Sequence, residues 1–273
     1  MIKFEDILDH IYNKANFNKN LGQNYLINKN ISLKMISILD IKKNDLVFEA
    51  GSGYGSISFF LLKCLCKKIT LNDIDKKSIF FLNEICPKKE NINIDIIKDS
   101  FLNVDVSNYT KIISSIPYYI ATKTLEYFLT NGINTKKYVF LVQKDFLKRL
   151  KSNAGSKNYC PLSIIIKNFF ILREEFNVAN NFFYPKPHVS SVVFSIELKK
   201  DIFLDRKKYL FFLKKMFFNR RKTIYKNLLF YLHNNKEQTL KILKKNNLSI
   251  LLRPEQINNN VYLDIFKMIN TKN

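Results

Sequence analysis

Apolar positions follow two spacings along this chain, and the change from one to the other divides it. Through the first two-thirds, short apolar runs at Leu46-Val47-Phe48, Ile69-Thr70-Leu71, Ile92 to Ile97, Lys111 to Ser115 and Lys137 to Val142 alternate with stretches of helical spacing. Runs of that length, bounded by turn residues, read as strands. Helical stretches are expected within Met1 to Ala15, then at Ile31 to Leu39, Ile57 to Leu65, Thr122 to Leu129 and Gln143 to Ser152. Strand and helix in alternation predict an α/β fold with a mostly parallel, doubly wound sheet. Leu162 to Phe169 is an apolar helix or strand. Ile171 to Val178 and Ser191 to Leu198 read as a closing pair of strands that adds an antiparallel edge, with a stiff aromatic loop, Phe182 to Pro187, between them. Beyond Lys199-Lys200-Asp201 only helical periodicity remains, at Tyr209 to Phe218, Thr223 to Leu232, Glu237 to Lys245 and Pro254 to Ile269. Pro254 followed by Glu255 is a good helix start. The expected organisation is one domain over 1–199, opening with an N-terminal arm, and a small all-helical domain over 200–273.

Composition changes this picture in one respect. A chain of 273 residues with 47% hydrophobic content can bury one good core and a small second one. The formal net charge of +22 is what needs an explanation. Heavy use of Lys, Asn, Ile and Phe without any Trp looks like AT-rich coding, which inflates Lys. A solvated basic surface is the plain alternative, and a nucleic-acid partner is the reading that uses the charge. Cys64, Cys66, Cys86 and Cys160 form no C-x-x-C pair, and His10, His188 and His233 are scattered. No metal site is therefore expected, and the thiols are expected to be buried and free in a reducing compartment. No apolar run is long enough to cross a bilayer, and MIKFEDILDH lacks a signal-like apolar core. A cytoplasmic protein with no membrane partner is expected.

The candidate chemistry begins at Leu46 to Ser56, where a strand runs through Glu49 into Gly51, Gly53 and Gly55. Glycines there permit a sharp turn and let a ligand lie against bare backbone. The acid at the strand tip can order the turn. The second strand ends in Asn72-Asp73-Ile74-Asp75, where an acid can hold a ribose diol; the third ends in Asp99-Ser100, where a carboxylate can face an adenine amino group. A glycine turn alone often serves packing only, but three acidic strand tips in series point to a nucleoside. The dinucleotide spacing G-x-G-x-x-G is absent, since Tyr54-Gly55 follows Gly53, so a nucleoside without pyrophosphate fits better than NAD.

At the tip of the fourth strand stands Ser115-Ile116-Pro117-Tyr118. Proline ends the ladder there. An exocyclic amine can donate to the Ser115 hydroxyl and to a backbone carbonyl, which turns its lone pair out of the ring, while Tyr118 stacks on the base. Position then supplies most of the rate. Taken alone, such a strand end is more often only a turn. The basic run Asn219-Arg220-Arg221-Lys222-Thr223 is either a solvated turn or a phosphate contact.

From roughly Asn16 to Ile269 the chain resembles the rRNA adenine N6-dimethyltransferases, which use S-adenosylmethionine (SAM). Asn20-Leu21-Gly22-Gln23-Asn24-Tyr25-Leu26 is similar to their G-Q-N-F-L motif, Glu49 to Gly55 to E-x-G-x-G-x-G, Asp73-Ile74-Asp75 to E-x-D, Asp99-Ser100 to D-A, and Ser115-Ile116-Pro117-Tyr118 to N-[LI]-P-[YF]. Val142-Gln143-Lys144-Asp145, Gly155-Ser156-Lys157-Asn158-Tyr159, Phe183 to Ser191 and Asn219 to Thr223 resemble segments of the branch acting on the ribosomal small subunit. Phe218-Asn219 stands where that branch carries a longer lead.

The resemblance implies a Rossmann-like methyltransferase domain and an RNA-binding helical domain. It places Asn24 and Leu26 over SAM, Gly51 and Gly53 against its methionine part, Asp73 on the ribose and Asp99 on the adenine amino group. Ser115, at the meeting of cofactor and target, and the carbonyl region of Pro117 would hold the target amine. Tyr118 and Phe183 would flank the base, and Arg220, Arg221 and Lys222 would meet RNA. Implied partners are small-subunit (16S) rRNA and the immature 30S subunit, with the protein a monomer that serves ribosome biogenesis. Two alternatives stay open: a large-subunit rRNA methyltransferase conferring antibiotic resistance, and a weakly catalytic assembly or transcription factor. The first is disfavoured by the Gly155 to Tyr159 and Arg220 to Thr223 segments. The second is kept open by Ser115, which replaces the usual Asn. Asp73 in place of Glu keeps the charge but shortens the reach by one methylene.

Overall fold

The structure is a computed structural model that describes residues 3–13, 24–86, 92–199 and 204–270. The chain forms two compact units, Met1–Leu147 with Leu172–Leu198, and Lys148–Ile171 with Lys199–Asn273. The expected division at residue 199 differs in one segment: 148–171 belongs by its contacts with the C-terminal helices.

The first unit starts with α1 (Phe4–Asn13), whose Phe4, Ile7 and Ile11 are buried at helical spacing. A two-residue strand β1 (Tyr25–Leu26) precedes α2 (Lys29–Leu39), which Asn28 caps by accepting from the backbone of Asn30 and Ile31. In chain order there follow β2 (Leu46–Ala50), α3 (Ser58–Leu61), β3 (Lys68–Asp73), α4 (Lys76–Ile85), β4 (Asn93–Lys98), β5 (Lys111–Ser115), α5 (Ala121–Asn131), β6 (Lys137–Gln143), α6 (Lys144–Lys151), α7 (Pro161–Phe169), β7 (Phe170–Val178), β8 (Phe183–Tyr184) and β9 (Ser191–Leu198), of which α7 belongs to the second unit. The main sheet has the order β4-β3-β2-β5-β6-β9-β7. β2 pairs in parallel with β3 and β5, β3 with β4, and β5 with β6; β9 joins β6 antiparallel. The inner strands are covered on both faces, so they read as unbroken apolar runs: Tyr138 to Val142 are buried throughout.

Three local expectations need correction. α3 is much shorter than Ile57 to Leu65, because the chain turns back at once: Lys67 and Lys68 N–H both donate to the Asp45 carbonyl at the foot of β2. Tyr25–Leu26 and Phe183–Tyr184, expected in loops, pair antiparallel as a second small sheet, Tyr25 opposite Tyr184 and Leu26 opposite Phe183. Two-residue strands carry no readable alternation, so periodicity misses them. All four cysteines are free as expected, but only Cys66 is fully buried. The motif residues Asn20 to Gln23 lie outside the described residues.

In the second unit, α8 (Arg206–Phe217), α9 (Ile224–Tyr231), α10 (Lys236–Lys245) and α11 (Asn259–Asn270) gather round an aromatic core of Tyr209, Phe212, Tyr262 and Phe266. Asp205, Thr223 and Asn235 cap the first three helices by accepting backbone N–H groups. Asn168 of α7 is buried there with its amide satisfied by the Tyr209 hydroxyl and the Asn259 carbonyl. Pro254 opens only a 3₁₀ turn to Gln256; Ile257 is extended, and α11 starts afresh at Asn259. No helix among the described residues is long and apolar enough to cross a membrane.

Candidate functional site

The strand order reverses between β2 and β5, and ligands of such sheets bind beyond the carboxyl ends of the strands at that point. A cleft open to solvent lies there. Asn24, Leu26, Gly51, Gly53, Asp73, Asp99, Ser115, Pro117, Tyr118 and Phe183 all line it. Residues spread over 160 positions of the sequence are thus brought together by the sheet.

The turn after β2 is open where a ligand needs it. Gly51 has φ +69°, and a Cβ built there would meet nothing within 4 Å, so bare backbone faces the cleft. Gly53, at φ +53°, is closed instead by the Tyr25 ring, 2.9 Å from where a Cβ would stand. Glu49 lies beneath the turn and accepts from the Ser58 hydroxyl at 2.6 Å. Burial pushes its carboxyl up to about 8, against which the Ser58 hydrogen bond acts only in part.

Asp73 at the tip of β3 accepts from Gly53 N–H through Oδ2 at 2.7 Å and from Asp75 N–H through Oδ1 at 2.9 Å. Burial raises its carboxyl above the usual value, with these N–H groups pulling the other way. Each oxygen keeps a lone pair for a further donor. Asp75, the other acid of the motif, caps α4 through Ser78. Buried Asn72 donates to the Ile97 and Asp99 carbonyls at 3.1 and 2.9 Å and so fixes the end of β4. Asp99 Oδ1 receives Ser100 N–H and the Asn103 amide.

Across the cleft, Ser115 ends β5, and Ile116 N–H still bonds the Leu141 carbonyl at 3.0 Å. The Pro117 carbonyl receives Ile120 N–H at 3.2 Å, closing a 3₁₀ turn over Tyr118–Ile120. The Tyr118 hydroxyl lies 2.9 Å from Ser191 Oγ, and burial raises its phenol pKa. Phe183 is buried on β8, opposite Leu26.

The residues fit a nucleoside cofactor without phosphate. Asp73 and Asp99 line the cleft and none of the described lining residues is basic, which repels a pyrophosphate and suits a cation, while Glu49 beneath the turn keeps its proton near neutral pH. Ser52 Oγ, Ser56 Oγ and Asn72 Oδ1 are buried in the lining without a hydrogen-bond partner among the described residues. No group of three or more His, Cys, Asp or Glu among the described residues is placed to hold a metal. Sequence reasoning passed over Asn72, Ser191, Ile74 and Tyr119, all of which line the cleft. The signal for Asn72 was a polar residue inside an apolar strand; Ser191 was visible as the end of the Phe183 to Ser191 motif.

In the second unit, two motif segments distant in sequence meet. Arg220 donates to the Lys157 carbonyl at 3.0 Å and faces Glu255, and Gly155 N–H donates to the Glu255 carbonyl at 2.7 Å. Arg221 and Lys222 are exposed, whereas Arg220 is half-buried and engaged. The basic run thus holds two exposed cations, Arg221 and Lys222, beside Arg220, which holds the turn.

Residues 14–270 match the family described as ribosomal RNA adenine dimethylase. The chain is 34% identical over 252 residues to the ribosomal RNA small subunit methyltransferase A of Malacoplasma penetrans, covering 92% of this chain and 91% of that protein. It is 34% identical to the protein of the same name from Borreliella afzelii, covering 89% and 85%. Among solved structures, a dimethyladenosine transferase from Plasmodium falciparum superposes with a TM-score of 0.74 at 26% identity, covering 90% and 97%. The 23S rRNA methyltransferase ErmE shares the fold, with a TM-score of 0.63 at 17% identity and coverage of 89% and 98%. With its sheet, its cleft and its sequence in agreement, the chain belongs to the ribosomal RNA adenine dimethylase family.

Proposed function

We propose that the protein transfers methyl groups from SAM to N6 of two adjacent adenines near the 3′ end of small-subunit rRNA. The observation that carries this reading is the single cleft in which Gly51, Asp73 and Asp99 face Ser115 and Tyr118, in a chain whose relatives are named for the small subunit. Bound there, SAM supplies an electrophilic methyl group on a sulfonium. Asp73 takes the ribose diol, Asp99 the adenine amino group, and Asn24 and Leu26 cover the cofactor. The Ser115 hydroxyl and a backbone carbonyl accept the two hydrogens of the target amine. The Pro117 carbonyl already receives Ile120 N–H, and the neighbouring Ile116 carbonyl is taken as the second acceptor. Tyr118 and Phe183 hold the base between them. Loop adenines reach such a pocket at low unstacking cost.

The substrate is the immature 30S subunit in the cytoplasm. The protein acts on it as a monomer. Exposed Arg221 and Lys222 supply phosphate contacts. Replacing both by Gln should flatten the log–log salt dependence of RNA binding by roughly 0.7–0.9 per contact. Arg220→Gln should leave the slope nearly unchanged and instead cost roughly 1 kcal/mol of stability. Equal slope losses at all three positions would mean that Arg220 is a phosphate contact after all.

Methyl incorporation into immature small subunits, with mass readout of the adenines, tests the function. Dimethyladenine in small-subunit rRNA is expected. Labelling of large-subunit rRNA alone would favour the resistance-type enzyme, and no transfer at all would favour an assembly factor.

A further inference from the structure

Tyr118 is held at both ends, by its own turn and by one side chain on another strand. It opens a short 3₁₀ turn, and Pro117 before it provides no side-chain cap. Its carbonyl accepts Ala121 N–H within the turn, and at the far end of the side chain the hydroxyl lies 2.9 Å from Ser191 Oγ. Ser191 is a rigid anchor. It is fully buried, it is the first residue of β9, and it stands opposite Gln143 in the β6 ladder. Its neighbour Ser190 accepts Lys144 N–H through its carbonyl at 3.1 Å. Around it the strand is apolar, Val192, Val193 and Phe194 all being buried, so packing alone would not call for a hydroxyl at this position. A buried hydroxyl needs a partner, and the phenol is that partner.

We infer that Ser191 is a positioning residue for methyl transfer: its hydroxyl tethers the Tyr118 phenol and so sets the ring plane on which the target base rests. The inference rests on the function proposed above, in that the base is the thing positioned. The tether crosses from the sheet to the turn that carries the amine acceptors, so one hydrogen bond fixes the stacking surface relative to Ser115. Burial keeps the phenol protonated well above neutral pH, so the tether is present over the whole working range. The contact does not reach the cofactor acids, and its loss therefore falls on the transfer step and not on SAM binding.

The test uses the full chain labelled with 3-fluorotyrosine, whose Tyr118 resonance, one of 14 tyrosines, is identified by its loss in Tyr118→Phe. In Ser191→Ala that resonance should shift or broaden, and in Ser191→Thr it should return to the wild-type position. Single-turnover methyl transfer at saturating SAM should fall roughly three- to tenfold in Ser191→Ala and in Tyr118→Phe, the range expected for one net hydrogen bond. The double variant should be no slower than Tyr118→Phe alone, and Ser191→Thr should recover the rate. SAM affinity by calorimetry should stay within about twofold throughout, which a general loss of fold would not allow. An unmoved Tyr118 resonance in Ser191→Ala, or rate losses that multiply in the double variant, would overturn the tether. If wild-type protein transfers no methyl to any ribosomal substrate, the proposed function fails, and the fluorine signal still decides whether Ser191 holds Tyr118.

Discussion

On the wall of the cleft made by β2, β3 and β4, the polar side chains are tied to the neighbouring turns before any ligand arrives. Asp73 holds Gly53 and Asp75, Asn72 pins the end of β4 beside Asp99, and Glu49 grips Ser58. On the wall made by β5, the turn at Tyr118 and β8, the surfaces are mainly aromatic and the polar ties are few. Ser115 stands at a strand tip, and Tyr118 has its tie to Ser191. The first wall is a preformed polar site, in which Asp73 serves the turn as well as the cleft while Asp99 ties only its own turn. The second works by placement, and a single side chain there tunes rate with little effect on the fold.

The largest effect expected belongs to Glu49. Its carboxyl is lifted by burial from an ordinary 4.5 to about 8. From about pH 4.5 upward the unfolded chain gives up this proton while the folded chain keeps it. The stabilising contribution is thus complete below the unfolded value, shrinks as pH rises through about 8, and is then gone. Glu49→Gln removes that slope. Relative to wild type the variant should gain stability on the order of a few kcal/mol between about pH 5 and pH 8. Denaturant titrations at several pH values read this directly, and parallel pH profiles for the two proteins would show that Glu49 is not held as a buried acid.

Next come the two nucleoside acids, which differ in what else they hold. Asp73→Ala removes the proposed ribose contact and also strands the buried Gly53 N–H, so SAM affinity should fall by about 3 kcal/mol or more and stability should fall with it. Asp99→Ala should cost about 1.5–3 kcal/mol in SAM affinity and leave the melting temperature nearly unchanged, since Asp99 ties only its own turn. Calorimetry and thermal melts on both variants decide the point. Equal losses of stability would erase the distinction between an acid that builds the turn and one that only meets the ligand.

The prebuilt wall was the easier one to read from sequence. Gly51, Asp73 and Asp99 announce themselves because a strand tip followed by a glycine or an acid is a local pattern, and the sheet order then brings the tips together. The parallel strands were equally plain, since burial on both faces makes them continuous apolar runs such as Tyr138 to Val142. What escaped depends on partners far along the chain. The β1–β8 pairing joins residues 25–26 to 183–184 through two strands too short to show a period. The Tyr118–Ser191 bond joins two residues 73 positions apart, and no spacing predicts it. The helical unit hid its extent for the same reason. Lys148–Ile171 sits amid strand-and-helix alternation in sequence, yet Asn168 spends its amide on Tyr209 and Asn259. Arg220 reads as one of three like cations until the Lys157 carbonyl and Glu255 are seen beside it.

The smallest effect, and the one that sharpens the contrast most, concerns Ser115. In an N6 transfer the amine presents its lone pair in line with the methyl group, and two acceptors hold its hydrogens while it does so. After the first transfer the nitrogen carries one methyl and one hydrogen, so one acceptor then faces a methyl group. A serine hydroxyl leaves more room at that point than an asparagine amide. It also accepts less reliably, because its arm is shorter and its own hydrogen has to point elsewhere. The first methylation is therefore expected to be slower than with asparagine, with dimethylation still open. Ser115→Asn should speed the first step by about tenfold if it restores about 1.4 kcal/mol of transition-state hydrogen bonding. Ser115→Ala should slow it further, and both variants should keep SAM affinity nearly intact, because the cofactor acids on the opposite wall are untouched. Single-turnover kinetics with mass readout of mono- and dimethyladenine separate the two steps. If Ala matches Ser, the hydroxyl has no part in placing the amine, and the backbone carbonyl at Ile116 does it alone. If Ser115→Asn instead speeds the first transfer and stalls the second, the hydroxyl's small size is what allows the amine to turn between methylations.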